Sequence, residues 1–195
     1  MSDTSEMLEE IHAPGGSQTM ARLLAVFLLL IAQTATPQSL EYRLKAEFIE
    51  RFTRFIEWPE RTENGIHSNF ILCIAGKNPF GSYFENMARQ VLIQNRRLDI
   101  RYGVTAEQMD GCNAVFISEP ALSEIEKILA ITMNEPVLTI ADTPGAAQRG
   151  VMMNLYTEEN RLRFEINRKT VERSGLRFSP KLLKRATIVN DGKEE

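Results

Sequence analysis

Hydrophobic and polar residues alternate along positions 41–57 with the period of an α-helix, about 3.6 residues per turn. We expect a helix here that packs its apolar side against the core. Pro59 ends the pattern, because the residue before a proline avoids helical backbone. A groove for a ligand or partner is the alternative use of so aromatic a stripe. The core residues predicted on this side are Leu44, Phe48, Phe52 and Phe55.

Two residues depart from this helix pattern. Lys45 lies inside the apolar side, where its long stem either extends out to solvent or carries the amine into a buried contact with a carboxylate. Trp58 follows the helix, and a large aromatic residue at such a place can sit half exposed and anchor a binding partner. Trp58 is therefore a partner-binding candidate.

Continuous apolar runs further along the chain predict strands that are covered on both faces. These runs occupy residues 70–76, 113–118 and 136–142. Segments with helical spacing separate them, and two alternating segments around the turn at 157–160 predict an antiparallel hairpin. The pattern predicts an α/β fold in a single domain. It has a mostly parallel central sheet of about five or six strands, flanking helices and a C-terminal antiparallel hairpin.

The most apolar stretch, residues 23–32, is too short for the roughly 20 apolar residues that a membrane-spanning helix needs. Arg22 precedes it and small or polar residues follow, which is the layout of a secretory signal peptide at residues 20–36. An N-terminal anchor or a buried core helix is the alternative. The acidic stretch 1–19 is unusual before a signal peptide, so we interpret it as a non-native or mis-annotated extension. We expect export to the periplasm.

Charge and composition restrict the classes of function. The net charge of -3 leaves no basic footprint for nucleic acid, and 43% hydrophobic with 25% charged residues is typical of a globular protein. His12 lies in the leader, so His67 is the sole histidine of the predicted mature chain. The sequence has no nucleophile motif, no HExxH pair and no glycine-rich nucleotide motif. We therefore predict a protein that is not an enzyme and carries no metal or cofactor.

Polar residues at the ends and faces of predicted strands are the remaining binding candidates. Asp142 follows a predicted parallel strand, at the edge where α/β folds place ligands, and a turn-forming role is its alternative. Arg163, Glu165 and Asn167 share one side of the predicted strand 161–167. That side is either a solvated surface or a face that docks a partner.

Cys73 and Cys112 are the two cysteines of the chain. In an exported protein an even pair is a disulfide candidate, whereas each cysteine could instead be a small buried core residue. A bridge that closes a loop of this length would be worth roughly 4 kcal/mol in the chain-entropy model. Both interpretations stay open on these residues alone.

Taken together, the sequence resembles the YfiR-like proteins, a family of exported bacterial regulators. The resemblance covers residues 41–189, with residues 40–190 as the domain and 191–195 as a loose tail. The order and spacing of four blocks carry it. The blocks are "YRLKAEFIERFTRFIEWP", "CIAGKNPFG" followed by "DGCNAVFIS", "VLTIADTPGAAQRGVMMNL" and "RLRFEINRKTVERSGLRFSPKLLKRA".

The resemblance implies a periplasmic protein that binds and represses the periplasmic part of an inner-membrane diguanylate cyclase, which lowers cyclic di-GMP and biofilm formation. It also implies a homodimer, a disulfide between Cys73 and Cys112, and no insertion into the membrane after signal cleavage. Some members carry a second cysteine pair around the segment that here reads "GAAQRGVM", which has none. A periplasmic small-ligand sensor, or an accessory protein for a histidine kinase or other membrane receptor, is the alternative function.

Overall fold

The computed structural model describes residues 37–59 and 69–190 of the 195-residue chain. From Pro37 onwards these ranges belong to one compact unit. Several predictions from the sequence lie outside the described residues. They concern the extension 1–19, the signal peptide 20–36, His67 and the tail 191–195.

Strands and helices alternate along the described chain, as the apolar runs predict. The strands are β1 (Ile56–Glu57), β2 (Phe70–Ala75), β3 (Leu92–Ile93), β4 (Arg96–Val104), β5 (Ala114–Ile117), β6 (Leu138–Ala141), β7 (Met153–Glu158), β8 (Arg161–Asn167), β9 (Arg177–Phe178) and β10 (Thr187–Val189). The helices are α1 (Pro37–Thr53), α2 (Tyr83–Ala88), α3 (Ile125–Thr132), α4 (Arg168–Ser174) and α5 (Pro180–Leu183), with 3₁₀ turns at Ala106–Gln108 and Glu119–Glu124.

Within the described residues, eight strands form one sheet in the order β10-β8-β7-β6-β5-β2-β4-β3. The inner strands from β7 to β4 run parallel, while β3, β8 and β10 run antiparallel to them. The prediction of an α/β fold with a mostly parallel sheet and a C-terminal hairpin is confirmed. The sheet is larger than predicted, because the short strands β3 and β10 extend its two edges.

Two apolar cores lie on opposite faces of this sheet. The first joins helices α1, α2, α4 and α5 to the sheet and includes Ile49 and Phe84. The second packs helix α3, through Ile125, on the other face. Successive residues of β5 alternate between them, since Val115 lies in the second core and Phe116 in the first. The central strands are thus covered on both sides, which is why their sequences are continuously apolar.

Helix α1 packs on the sheet with a side that only partly overlaps the one that the sequence predicts. Phe52 is buried and packs on Phe164 of β8, with the two ring centroids 4.6 Å apart. Phe48 is half-buried against the same core. Leu44 and Phe55 are 43% and 40% exposed, so the prediction that these two residues belong to the core is wrong.

The reason lies in the position of the buried side of α1. Ala46, Ile49 and Thr53 are buried and mark its centre, close to half a turn from Leu44 on a helix of about 3.6 residues per turn. The helix also ends at Thr53, earlier than predicted, so Phe55 falls in the turn between α1 and β1. Strand β1 then pairs with β9 in a separate antiparallel ribbon.

A disulfide joins Cys73 of β2 to Cys112 in the segment that precedes β5. The two Cα atoms lie 6.0 Å apart, and both cysteines are fully buried. The predicted bridge is confirmed. It links positions separated by 39 residues and fastens β2 beside β5, its neighbour in the sheet.

Asn167 ends strand β8 and caps the helix that follows. Its side-chain oxygen accepts a hydrogen bond from the backbone N–H of Thr170 (3.0 Å), and its amide donates one to the carbonyl of Ala147 (2.8 Å). The side chain is fully buried, so the expectation that Asn167 shares a partner-facing surface with Arg163 and Glu165 is wrong. Capping explains the difference, because an asparagine oxygen satisfies a free N–H of the first helical turn.

Candidate functional site

The outer side of strand β8 forms a polar surface near one edge of the sheet. Phe164 and Ile166 point into the first core, so the residues that alternate with them point to the opposite face. Register pairing with β7 and β10 places further polar residues beside them. We call the solvent-reaching residues of this surface the β8 face: Tyr156, Arg163, Glu165 and Thr187.

Two amide side chains fix the carboxylate of Glu165. Gln148 donates a hydrogen bond from Nε2 to Oε1 (3.2 Å), and Asn154, the register partner of Glu165 on β7, donates one from Nδ2 to Oε2 (3.1 Å). The amide oxygens of Gln148 and Asn154 are buried and have no hydrogen-bond partner among the described residues. Both amides thus turn their N–H groups towards the Glu165 carboxylate.

Arg163 presents the positive charge of the β8 face. Its Nε lies 2.6 Å from Oε2 of Glu158, and both side chains are about half exposed. Tyr156 lies opposite Arg163 in the β7–β8 register, and its hydroxyl is 3.4 Å from Oγ1 of Thr187. An exposed ion pair adds little to the free energy of unfolding, typically below about 1 kcal/mol. A partner can therefore bind these charged groups without destabilising the domain by more than that amount.

Trp58 lies on a different part of the domain from the β8 face. Its indole N–H donates a hydrogen bond to the carbonyl of Asn113 (3.2 Å), and its ring meets the edge of Phe70 with the centroids 5.3 Å apart. Phe70 belongs to β2, which β5, β6 and β7 separate from β8. The structure therefore does not bring Trp58 together with Arg163 and Glu165. Trp58 is half-buried, and its role as a partner anchor stays a prediction.

Asp142 follows β6 and forms a buried ion pair with Lys45 of α1. Oδ2 of Asp142 lies 2.7 Å from Nζ of Lys45, and the two side chains are 6% and 5% exposed. Glu41 also approaches Nζ, at 2.7 Å. Burial raises the pKa of the neighbouring Tyr42 phenol, and the Asp142 carboxylate raises it further. Of the two alternatives for Lys45, the buried contact with a carboxylate is the one observed.

The Lys45–Asp142 ion pair occupies the sheet edge at which α/β folds bind ligands. A ligand that used the Asp142 carboxylate would have to displace the Lys45 amine at a site from which water is largely excluded. Asp142 therefore positions helix α1 on the sheet in the state that the structure shows. Its predicted role as a ligand residue stays a prediction.

In residues 37–59 and 69–190, no group of three or more histidine, cysteine, aspartate or glutamate side chains could hold a metal ion. In the same part of the chain, no helix is long and apolar enough to cross a bilayer.

Comparison with known families gives the assignment. A family model described as YfiR/HmsC-like matches residues 42–187, which is most of the described chain. The chain belongs to the YfiR/HmsC-like family. The resemblance based on four sequence blocks is thereby confirmed. No curated protein matches this YfiR/HmsC-like chain.

Solved structures that resemble this YfiR/HmsC-like chain include the following one. It is a conserved domain protein from Vibrio cholerae O1 biovar El Tor str. N16961, with 10% sequence identity and a TM-score of 0.48. The match covers 75% of this chain and 59% of that chain, so it spans less than two thirds of the length of the Vibrio protein.

Sequence reasoning missed three features of these surfaces. It did not find the amide pair that holds Glu165, because Gln148 and Asn154 lie in other segments and neither carries a motif. It did not pair Lys45 with Asp142, although a lysine on an apolar helix side and an aspartate after a buried strand were both visible. It also placed Leu44 and Phe55 in the core, and both are exposed.

Proposed function

We propose that this YfiR/HmsC-like protein is a periplasmic regulator that binds the periplasmic part of an inner-membrane diguanylate cyclase and holds the cyclase inactive. The observation that carries the proposal is the family match, which spans residues 42–187 and so includes nearly every described element. A repressed cyclase makes less cyclic di-GMP, and biofilm formation falls. This role needs no catalytic group, metal or cofactor in the chain.

We place the contact with the cyclase on the β8 face. Glu165 supports this placement, because two amides hold its carboxylate and a pre-organised group loses less entropy on binding. Arg163 adds a guanidinium on the same side of β8, and Tyr156 adds an aromatic ring of the kind that is enriched at interfaces. Trp58 remains a proposed second contact.

Repression then follows from a difference in affinity. A regulator that binds the inactive state of the cyclase more tightly than the active state shifts the population towards the inactive state. A hundredfold difference in affinity corresponds to about 2.8 kcal/mol. The regulator needs no chemistry of its own to produce this effect.

We also propose that the protein forms a homodimer. Leu40 and Leu44 on the exposed side of α1, together with Phe55 in the turn that follows the helix, are exposed apolar side chains that a second copy would cover. Phe52 of α1 packs on Phe164, which points away from the β8 face, so α1 lies on the opposite face of the sheet. A dimer through α1 would leave the β8 face open to the cyclase.

A small-ligand sensor built around Asp142 has less support. The Asp142 carboxylate is engaged by Lys45, and the side chain is almost fully buried. A ligand at this edge would need to break an ion pair whose loss leaves a buried charge without a partner, at a cost of several kcal/mol. We therefore favour the cyclase regulator.

Replacing Arg163 by glutamate is expected to weaken capture of the cyclase about tenfold without unfolding the domain. The ion pair between Arg163 and Glu158 is half exposed, so its loss costs no more than about 1 kcal/mol, and solvent screens the repulsion between Glu158 and the new carboxylate. The test is affinity purification of the tagged, exported protein from detergent-solubilised membranes, with captured proteins quantified by mass spectrometry. Arg97→Glu is the matched control, because Arg97 is an exposed residue of β4 and the substitution reverses the same charge. Strand β4 lies about 24 Å from β8, at roughly 4.8 Å per strand.

The predicted result is one membrane protein with a cytoplasmic cyclase domain. Wild type and Arg97→Glu enrich it, and Arg163→Glu enriches it about tenfold less. Equal enrichment by all three proteins would contradict the placement of the contact on the β8 face. The proposed function as a cyclase regulator would still hold. Enrichment of a histidine kinase would favour the alternative function. Recovery of no membrane protein would contradict the regulator itself.

A further inference from the structure

A groove lies near the other edge of the sheet from the β8 face, where the loop that follows helix α2 leads into strand β3. Its volume is about 720 Å³, within the roughly 300–1,000 Å³ that is typical of small-molecule sites. Residues 88–92 line it together with Asn69 and residues 97–99 of β4. Neither the β8 face nor the Lys45–Asp142 ion pair lines it, so the groove is a separate site.

Three charged side chains line this groove. Arg89 comes from the loop after α2, and Arg97 and Asp99 come from β4. All three are exposed, and in residues 37–59 and 69–190 no side chain pairs with any of them through an ion pair or a hydrogen bond. The groove therefore presents two positive groups and one negative group that no other part of the described chain neutralises.

The backbone brings charges of both signs close together. Arg97 and Asp99 lie two residues apart on β4, so their side chains leave the same side of the strand with Cα atoms about 7 Å apart. Leu92 of β3 lies opposite Arg97 in the register and is 58% exposed, which adds an apolar surface beside the charges. A ligand in the groove can thus meet both signs of charge within the length of a small molecule.

We propose that the groove binds an acidic α-amino acid of the glutamate type. Such a ligand carries two carboxylates and one ammonium group, which match the two guanidiniums and the one carboxylate of the groove. An arginine binds a carboxylate through two parallel N–H donors, and the Asp99 carboxylate would accept from the ammonium group. The methylene groups of the ligand would lie against Leu92. This site goes beyond the proposed contact with the cyclase, and its test needs no partner protein.

L-Glutamate is the probe in isothermal titration calorimetry with the purified protein, at up to about 10 mM so that a millimolar dissociation constant is measurable. Asp99→Asn removes the negative charge of the groove at nearly the same size. It is expected to weaken binding about tenfold, as the loss of a hydrogen bond between charged groups does. Asp110→Asn is the matched control, because it makes the same change at an exposed aspartate outside the groove. It should alter the affinity by less than about twofold. Thermal unfolding verifies that both variants are folded.

Two analogues test the charge pattern of the ligand. Glutarate lacks the ammonium group and γ-aminobutyrate lacks the α-carboxylate, so each is expected to bind about tenfold more weakly than glutamate. Glutarate binding as tight as that of glutamate would overturn the role of Asp99, and γ-aminobutyrate binding as tight would overturn the pair of arginines. Equal glutamate binding by wild type and Asp99→Asn would overturn the location. Absence of glutamate binding by wild type would overturn the site.

The titration and the capture experiment with membranes can fail independently. Arg97→Glu is expected to lose glutamate binding and still to capture the cyclase, because Arg97 lines this groove and lies far from the β8 face. Arg163→Glu is expected to show the reverse, with glutamate affinity unchanged and capture weakened.

Discussion

Lys45→Met is expected to lower the free energy of unfolding by about 3–5 kcal/mol. The substitution removes the cation from Asp142, whose side chain is 6% exposed, and so leaves a carboxylate buried without its partner. Glu41 is less affected, because its half-exposed carboxylate can be hydrated. Equilibrium urea denaturation followed by circular dichroism measures the change.

Two control variants separate a buried charge from a lost surface contact. Lys45→Met combined with Asp142→Leu replaces both charges by apolar groups and should recover most of the loss, since a buried pair is often matched by apolar residues of similar size. Arg168→Met breaks an exposed pair with Glu172 and should cost less than about 1 kcal/mol. If Lys45→Met cost no more than Arg168→Met, the buried ion pair would not position α1 as we describe.

Removal of the disulfide, by Cys73→Ala together with Cys112→Ala, is expected to lower the free energy of unfolding by about 2–4 kcal/mol. The bridge spans a separation of 39 residues, so its loss gives the unfolded chain many more conformations. Thermal and urea unfolding of the double variant, compared with wild type under oxidising conditions, measure the effect.

The reduced wild-type chain is the second reference for the disulfide. Both cysteines are fully buried, so reductant should act on unfolded molecules, and wild type unfolded and refolded in reductant should approach the stability of the double variant. Equal thermal midpoints for oxidised wild type, reduced wild type and the double variant would show that the bridge contributes nothing to stability.

The sheet was predictable from the sequence because its central strands are buried on both faces. The sequences of strands β2, β5 and β6 are continuous apolar runs. Such a run is typical of a strand that is buried on both faces. Asn167 and Gly175 are local capping signals for the two ends of α4: Asn167 accepts from Thr170, and Gly175 takes a positive φ of 76°. These signals are local, and they do not depend on what packs against the element.

The candidate site was only partly predictable, because it depends on contacts between distant segments. Lys45 and Asp142 are 97 positions apart, so neither residue indicates by itself which partner it meets. The side of α1 that faces the sheet could not be chosen either. Leu44 and Phe52 are both apolar at helical spacing, and tertiary packing alone exposes the first and buries the second.

The measurement that tests the regulator most directly is the intracellular concentration of cyclic di-GMP in the native host with and without this protein. Deletion should raise cyclic di-GMP, the exported wild-type protein should restore the original concentration, and Arg163→Glu should restore it less than Arg97→Glu does. A cyclic di-GMP concentration that is the same in the deleted and the complemented strains would contradict the proposed repression of a diguanylate cyclase.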